Sequence, residues 1–262
     1  MLFACSVENA HTRLGVFDED RLLFESSIAT DPVKSADEYA ILIASIFTMY
    51  KVELASIDKA IVSSVVRPMN VRMVQVIEQL TQVKPILVGP GVKTGLNIKT
   101  DMPSQVGGDI VANAVAAVSL VKGPLVFIDF CTATTLTGIN TQGELTGVLI
   151  CPGVRSALDA LSANAAELPK IALEHPKGLF GKNTIDAMTG GTIIGNAAMI
   201  DGLLDRIADE WNLPSLNVIA TGEYAEWIIP HCRSSHQIQI EINLTMHGLR
   251  LIQQLNERHK TS

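Results

Sequence analysis

The chain has 262 residues, 47% of them hydrophobic and 18% charged, enough apolar material for one large domain or two of about 130 residues each. A formal net charge of −7 argues against non-specific nucleic-acid binding, and a small anionic ligand would then need a locally positive pocket or a metal. No apolar run reaches the ~20 residues of a membrane span, and the N-terminus lacks the basic start and apolar core of a secretory signal. A cytoplasmic protein with no membrane partner is the expectation. Cys5, Cys131, Cys151 and Cys232 are far apart and form no CxxC pair, which speaks against a zinc site or disulfide framework.

Residues 2–5 open a strand and 6–12 form its turn. Residues 14–17 and 22–27 complete a three-strand meander around the acidic turn 18–20. Over 35–50, Tyr39, Leu42, Ile43, Ile46, Phe47 and Tyr50 recur at helical spacing behind Ser35 or Asp37 as cap. A strand over 57–66, a helix over 71–82 and a short strand over 85–88 follow. The Gly- and Pro-rich stretch 89–97 reads as an ordered loop, and 110–121 as a helix. Asp109 falls just before it, after a glycine pair. An Asp there suits a cap that complements the helix dipole, and equally a base aimed at a substrate hydroxyl. Further on come a strand-to-turn transition over 147–154, a helix over 155–167, a loop over 169–177 and a polar turn over 180–184. A long helix over 185–209, a strand over 217–221 and a closing amphipathic helix over 244–257 end the chain.

The middle of the sequence organises the rest. Residues 125–129 form an apolar strand that delivers Asp129 to a cluster of hydroxyls at Thr132, Thr134 and Thr135. With the turn's N–H groups, those hydroxyls could hold phosphate oxygens and the carboxylate a cation. Alone, the stretch reads as well as a Thr-rich hairpin with an incidental Asp. An internal repeat favours the first reading. Sliding the chain by 123 residues lays residues 6–22 on 129–145, so that Ala10 meets Ala133, Thr12 meets Thr135, Gly15 meets Gly138, Val16 meets Ile139 and Leu22 meets Leu145. A second echo relates 60–66 to 218–222. Repeats this far apart indicate a duplicated domain rather than a solenoid. The expectation is an α/β protein of two halves, 1–117 and 118–262, facing across a nucleotide cleft. The closing helix over 244–257 is a candidate to pack back on the first half.

Taken together, seven stretches resemble the type III pantothenate kinases, a family of the acetate and sugar kinase/Hsp70/actin superfold. They are Ser63-Ser-Val-Val66, Gly89-Pro-Gly-Val-Lys-Thr-Gly-Leu-Asn97, Val106-Gly-Gly-Asp109, Asn113-Ala-Val-Ala-Ala117, Asp129-Phe-Cys-Thr-Ala-Thr-Thr135, Gly181-Lys-Asn-Thr184 and Ala220-Thr-Gly222. The resemblance implies duplicated ribonuclease H-like (actin-like ATPase) domains in a homodimer. It also implies ATP-dependent phosphorylation of pantothenate to 4'-phosphopantothenate, the first step of coenzyme A biosynthesis, with Mg2+ and a monovalent cation, K+ or NH4+. By that resemblance Asp109 is the base for the pantothenate hydroxyl. Thr100, Gly107, Gly108, Ile110 and Thr184 occupy substrate positions, Thr184 from the partner subunit. Ser6, Asn9, Ala10, Thr132, Thr134 and Gly222 occupy nucleotide positions, and Asp129 holds the monovalent cation. Phosphoryl transfer needs mainly positioning and charge neutralisation, which so small a set can supply.

The departures from the family pattern cluster at those positions. The family's first phosphate motif looks like Asp-x-Gly-Asn-Thr, but here it is Ser6-Val-Glu-Asn-Ala10. Ser6 removes a metal-holding carboxylate, and Glu8 puts a charge where Gly lets the backbone approach phosphate. Two like charges about 4 Å apart repel by roughly 4 kcal/mol at an effective dielectric of about 20, enough to weaken nucleotide binding roughly a thousandfold unless Glu8 turns away or binds a cation. Ile110 replaces an Arg, Cys131 a Gly, Glu223 a Gly and Thr100 a Tyr. Three readings stay open: a working but divergent pantothenate kinase, a catalytically impaired paralogue that serves as a binding or regulatory subunit, and a kinase for another hydroxyl substrate. The departures predict low or absent activity of the isolated protein.

Overall fold

The computed structural model describes residues 1–258 and divides into two compact units, one formed by residues 1–120 together with 243–258, the other by 121–242. In unit 1, β1 (Leu2–Val7), β2 (His11–Asp18) and β3 (Arg21–Ala29) form the antiparallel meander. Then α1 (Ala36–Met49) leads to β4 (Lys59–Ser64), which pairs parallel to β1. Next, α2 (Met69–Thr81) leads to the two-residue β5 (Ile86–Leu87), parallel to β4, and α3 (Gly108–Leu120) follows. Every residue of β1 is buried, because helices cover both faces of its sheet. Phe3, Cys5 and Val7 enter the core with α1 and α2, whereas Leu2 and Ala4 join Val111 and Ala112 of α3, the period-2 alternation of a central strand. On the first face the Phe47 ring meets Phe3 at 5.1 Å and Phe24 at 5.6 Å, both edge to face. The start of α1 is a capping box. The Glu38 N–H donates to the Ser35 hydroxyl at 3.2 Å, and the Ser35 N–H donates to the Glu38 carboxylate at 2.7 Å.

Unit 2 repeats the plan with β6 (Leu125–Phe130), β7 (Ala133–Ile139), β8 (Leu145–Pro152), α4 (Val154–Asn164), α5 (Thr184–Trp211), β9 (Asn217–Thr221), α6 (Ala225–Ile228) and β10 (Gln237–Ile240). Its order, β10-β9-β6-β7-β8, matches β5-β4-β1-β2-β3 of unit 1 strand for strand. Neither β10 nor α6 was anticipated. The alternation of Ile238 and Ile240 with Gln237 and Gln239 was a usable signal for β10, whereas the four residues of α6 are too few to show a period.

Register corrects the repeat in one respect. Val7 pairs with Thr12, and its equivalent Phe130 pairs with Thr134, not Thr135. The second turn is one residue shorter, so the offset is 123 in the first strands and 122 in β2 and β7. Thr12 therefore corresponds to Thr134, both fully buried, and the matches of Thr12 to Thr135, Gly15 to Gly138 and Val16 to Ile139 are not structural equivalences. A bulge lies between Val16 and Phe17 in one unit and between Gly138 and Ile139 in the other, the same place by the 122 offset. The turn that follows has four residues between Phe17 and Leu22 but five between Ile139 and Leu145, which restores the offset to 123. Leu22 and Leu145 then correspond as the slide predicted. A shared bulge at one corner is a stronger mark of duplication than any single residue identity.

The last helix, α7 (Leu244–Arg258), belongs to unit 1. Met246, Leu249 and Ile252 complete the core around Leu2, Ala4 and Ile61, and the Thr245 hydroxyl donates to Asn113 Oδ1 of α3 at 2.7 Å. The two helix backbones touch at Gly248, where an added Cβ would overlap the Ala112 carbonyl. Gly248→Ala must push the helices apart and should cost about 1–3 kcal/mol, read as a lowered urea midpoint at constant m-value. An unchanged midpoint would show that the contact yields freely.

Candidate functional site

In unit 1 the polar positions gather where β1 and β4 end. Ser6 and Ser63 are register partners on these parallel strands, so their side chains share the face that carries Leu2, Ala4 and Ile61 further back. Ser6 is 1% exposed and Ser63 fully buried. The Ser6 hydroxyl donates to Glu8 Oε1 at 3.4 Å, which draws the Glu8 charge back toward the strand end, away from the exposed Asn9 and Ala10. The Ser63 hydroxyl has no hydrogen-bond partner. Above it lies the entry to α3. An added Cβ on Gly108 would come within 2.6 Å of Ser63 Oγ, and one on Gly107 would collide with the Asp109 carboxylate. The glycine pair thus lets the turn settle on the serine and leaves room for the acid. Asp109, half-buried, stands in the first turn of α3, where its carboxylate accepts the Ile110 N–H at 2.8 Å and complements the helix dipole. Ile110 offers no charge there. Thr100 is half-buried, and its hydroxyl has no partner.

In unit 2 the equivalent strand ends carry Asp129 and Thr221, again register partners. Asp129 Oδ1 accepts from the Cys131 thiol at 2.9 Å. Gly222, at φ +90°, lies so close that an added Cβ would come 2.5 Å from that oxygen and 2.7 Å from the Phe130 backbone. The Cys131 N–H closes the turn on the Ala133 carbonyl at 3.1 Å. Thr132 is exposed. Its carbonyl receives the Ser156 hydroxyl at 2.8 Å, and Gly153, just before α4, presses against that carbonyl closely enough to exclude a Cβ. Thr134 is fully buried, and its hydroxyl has no partner. By alternation it faces the Phe130 and Leu136 side, and Asp129 the other. The exposed Glu223 engages Tyr224. Burial, reinforced by the Glu223 charge and hydrogen bond, pushes that phenol up to about 12. Thr184 is the exposed first residue of α5, behind Asn183, whose side chain accepts the Asp186 N–H at 2.9 Å.

The predicted residues thus form two groups: Ser6, Asn9, Ala10, Thr100, Gly107, Gly108, Asp109 and Ile110 in unit 1, and Asp129, Thr132, Thr134, Thr184 and Gly222 in unit 2. Ser63 and Gly153 had no assigned role from sequence, although the serine doublet closing a strand was visible. A cavity of about 550 Å³ in unit 2, lined by Leu136, Val148, Leu149, Ile207 and Trp211 among others, takes in none of the predicted positions. Among the described residues no three of His, Cys, Asp and Glu gather as a metal set. A cation at Asp129 would therefore complete its shell with hydroxyl, carbonyl, water or phosphate oxygens, as hard cations do.

Two five-stranded sheets of one order, each with parallel strands ending in small polar turns, define a duplicated α/β protein of the actin-like ATPase class. Solved structures agree at the level of fold. A conserved putative Baf family transcriptional activator from Campylobacter jejuni aligns with TM-score 0.60 at 15% identity, covering 98% of this chain and 99% of that one. A ROK hexokinase from Thermus thermophilus aligns with TM-score 0.54 at 13% identity, again over 98% and 99%. The sequence narrows the class. The type III pantothenate kinase family model matches residues 2–206. A type III pantothenate kinase of an Exiguobacterium species is 39% identical over 98% of this chain and its own full length. One from Myxococcus xanthus is 36% identical over 96% of this chain and 97% of its own. The chain belongs to the type III pantothenate kinase family.

Gly222 gives the site its sharpest steric test. Gly222→Ala adds a Cβ at positive φ against the Asp129 carboxylate, and should destabilise unit 2 by roughly 1–3 kcal/mol. Thermal unfolding checks this, and an unshifted Tm would mean the turn has slack.

Proposed function

We propose that this protein phosphorylates pantothenate at the expense of ATP, giving 4'-phosphopantothenate at the first step of coenzyme A biosynthesis. The family match over nearly the whole chain carries the reading. Asp109 at the head of α3, beside two glycines and the unpartnered Ser63 hydroxyl, supports it. In this reading Asp109 accepts the proton of the substrate hydroxyl. Gly107 and Gly108 let pantothenate approach, with Thr100 and Ile110 beside them and Thr184 supplied by the partner subunit of a homodimer. Ser6, Asn9 and Ala10 in one turn, with Thr132 and Gly222 in the other unit, serve the nucleotide, whereas Thr134, turned into the core beside Phe130 and Leu136, is withdrawn from that role. Asp129 holds K+ or NH4+, and Mg2+ accompanies ATP. Mass-spectrometric detection of the product tests it. Asp109→Asn should lower kcat by about 10²–10⁴, the span of a lost general base, while far-ultraviolet dichroism stays unchanged. Undiminished turnover in that variant would remove Asp109 from the role.

One observation favours a slower enzyme or a binding subunit as the second reading. The Cys131 thiol donates to Oδ1 of the Asp129 carboxylate assigned above to the monovalent cation, and so competes for one of its two oxygens. Removing that competitor in Cys131→Gly should raise K+-stimulated turnover about fivefold, the factor of ~1 kcal/mol for one hydrogen bond. No gain would clear Cys131 of the defect.

A further inference from the structure

We propose that Glu8 is a divalent-cation ligand at the end of β1, with the hydroxyls of Ser6 and Ser63 beside it. The two units supply the first observation. Ser6 and Asp129 are equivalent strand ends, and Glu8 and Cys131 stand two residues further on. Each pair forms a donor–acceptor contact within its turn, Ser6 Oγ to Glu8 Oε1 at 3.4 Å and Cys131 Sγ to Asp129 Oδ1 at 2.9 Å. The chemistry is exchanged between them. Unit 2 has its carboxylate on the strand and its donor in the turn, whereas unit 1 has its donor on the strand and its carboxylate in the turn. Either arrangement brings one carboxylate oxygen to the same corner of the repeated fold. The longer turn of unit 1, four residues between Val7 and Thr12 against three between Phe130 and Thr134, gives the Glu8 chain the reach to fold back.

The second observation is Ser63. Its hydroxyl is fully buried and unpartnered, lies on the same sheet face as Ser6 by register, and is approached closely by Gly108, whose lack of a side chain leaves the space beside the hydroxyl unfilled by a methyl group. A buried hydroxyl without a partner carries an uncompensated desolvation cost, a deficit that a bound ion or its water shell removes. One carboxylate and two hydroxyls are all-oxygen donors. That set suits Mg2+ or Mn2+, which accept one or two carboxylates and fill the remaining positions with water or phosphate.

The proposal deepens the phosphotransferase reading, and its test uses no turnover. Mn2+ alone is titrated into the full chain, with free Mn2+ followed by electron paramagnetic resonance and Mg2+ added as competitor. Glu8→Gln should weaken one site by at least about tenfold, and that site should persist in Asp129→Asn. The double variant Ser6→Asp, Glu8→Gly returns the carboxylate to the strand, as in unit 2, and should restore affinity to within about threefold of the parent. Near-ultraviolet dichroism verifies the fold of each. Equal Mn2+ binding by Glu8→Gln and parent overturns the proposal, as does a parent with no site tighter than about 1 mM. Mn2+ held through Glu8 in a protein that never phosphorylates pantothenate would leave this assignment standing and remove the enzymatic one.

Discussion

Parallel pairing of two strands that stop together is the constraint on which the rest of this protein depends. Because β1 and β4 run side by side, and β6 and β9 likewise, their final residues meet at one sheet edge in each unit. Behind that edge in unit 1 both faces are apolar and covered by helices, and in unit 2 the face of Val126, Ile128 and Phe130 packs on helices in the same way. At the edge the pattern changes abruptly to Ser6 and Ser63, or to Asp129 and Thr221. A buried sheet cannot carry unpaired polar groups in its middle without cost, so functional side chains collect where the strands run out, as in other open α/β sheets. The turn glycines then decide how closely the next segment approaches. Gly107, Gly108, Gly153 and Gly222 each stand where a methyl group would strike a neighbouring backbone, carboxylate or hydroxyl.

The sequence displayed much of this. Long periodic segments were legible, and the extent of the central helices differed from expectation by only a few residues. The repeat was also legible, because strand, polar turn and strand recur in both halves. Its register was not. A one-residue difference in turn length leaves no trace in composition, and chance identities such as Gly15 with Gly138 pulled the alignment one residue past its structural place. Hydrogen-bonded pairing fixes that place by requiring Thr12 and Thr134 to occupy the same inward position. The strand β10 was lost for another reason. Four residues between turn formers give too short an alternation to stand out, and its pairing with β9 is long-range information.

At the site, the motif glycines and acids could be placed on turns from sequence, but the direction of their side chains could not. Glu8 illustrates the difference. On sequence alone its charge falls where phosphate should approach, and repulsion is the natural conclusion. In the structure the carboxylate folds back on Ser6, so the same residue becomes a partner of the strand end. Thr134 shows the reverse case. A hydroxyl in a phosphate-like cluster is turned by strand alternation into the core beside Phe130 and Leu136. Ser63 was quoted within a motif and given no task, because nothing in one dimension reveals that a hydroxyl is buried without a partner.

The placement of α7 has a consequence for how the polypeptide is made. Unit 2 is one uninterrupted stretch and has all its residues once Ile242 has left the ribosome. Unit 1, although it precedes unit 2, lacks Met246, Leu249 and Ile252 until the whole of unit 2 has been synthesised. During translation the older half must wait with one side of its sheet covered by α3 alone while the younger half matures. A stop just after Ile242 would spare the second unit and leave the first open to aggregation and proteolysis.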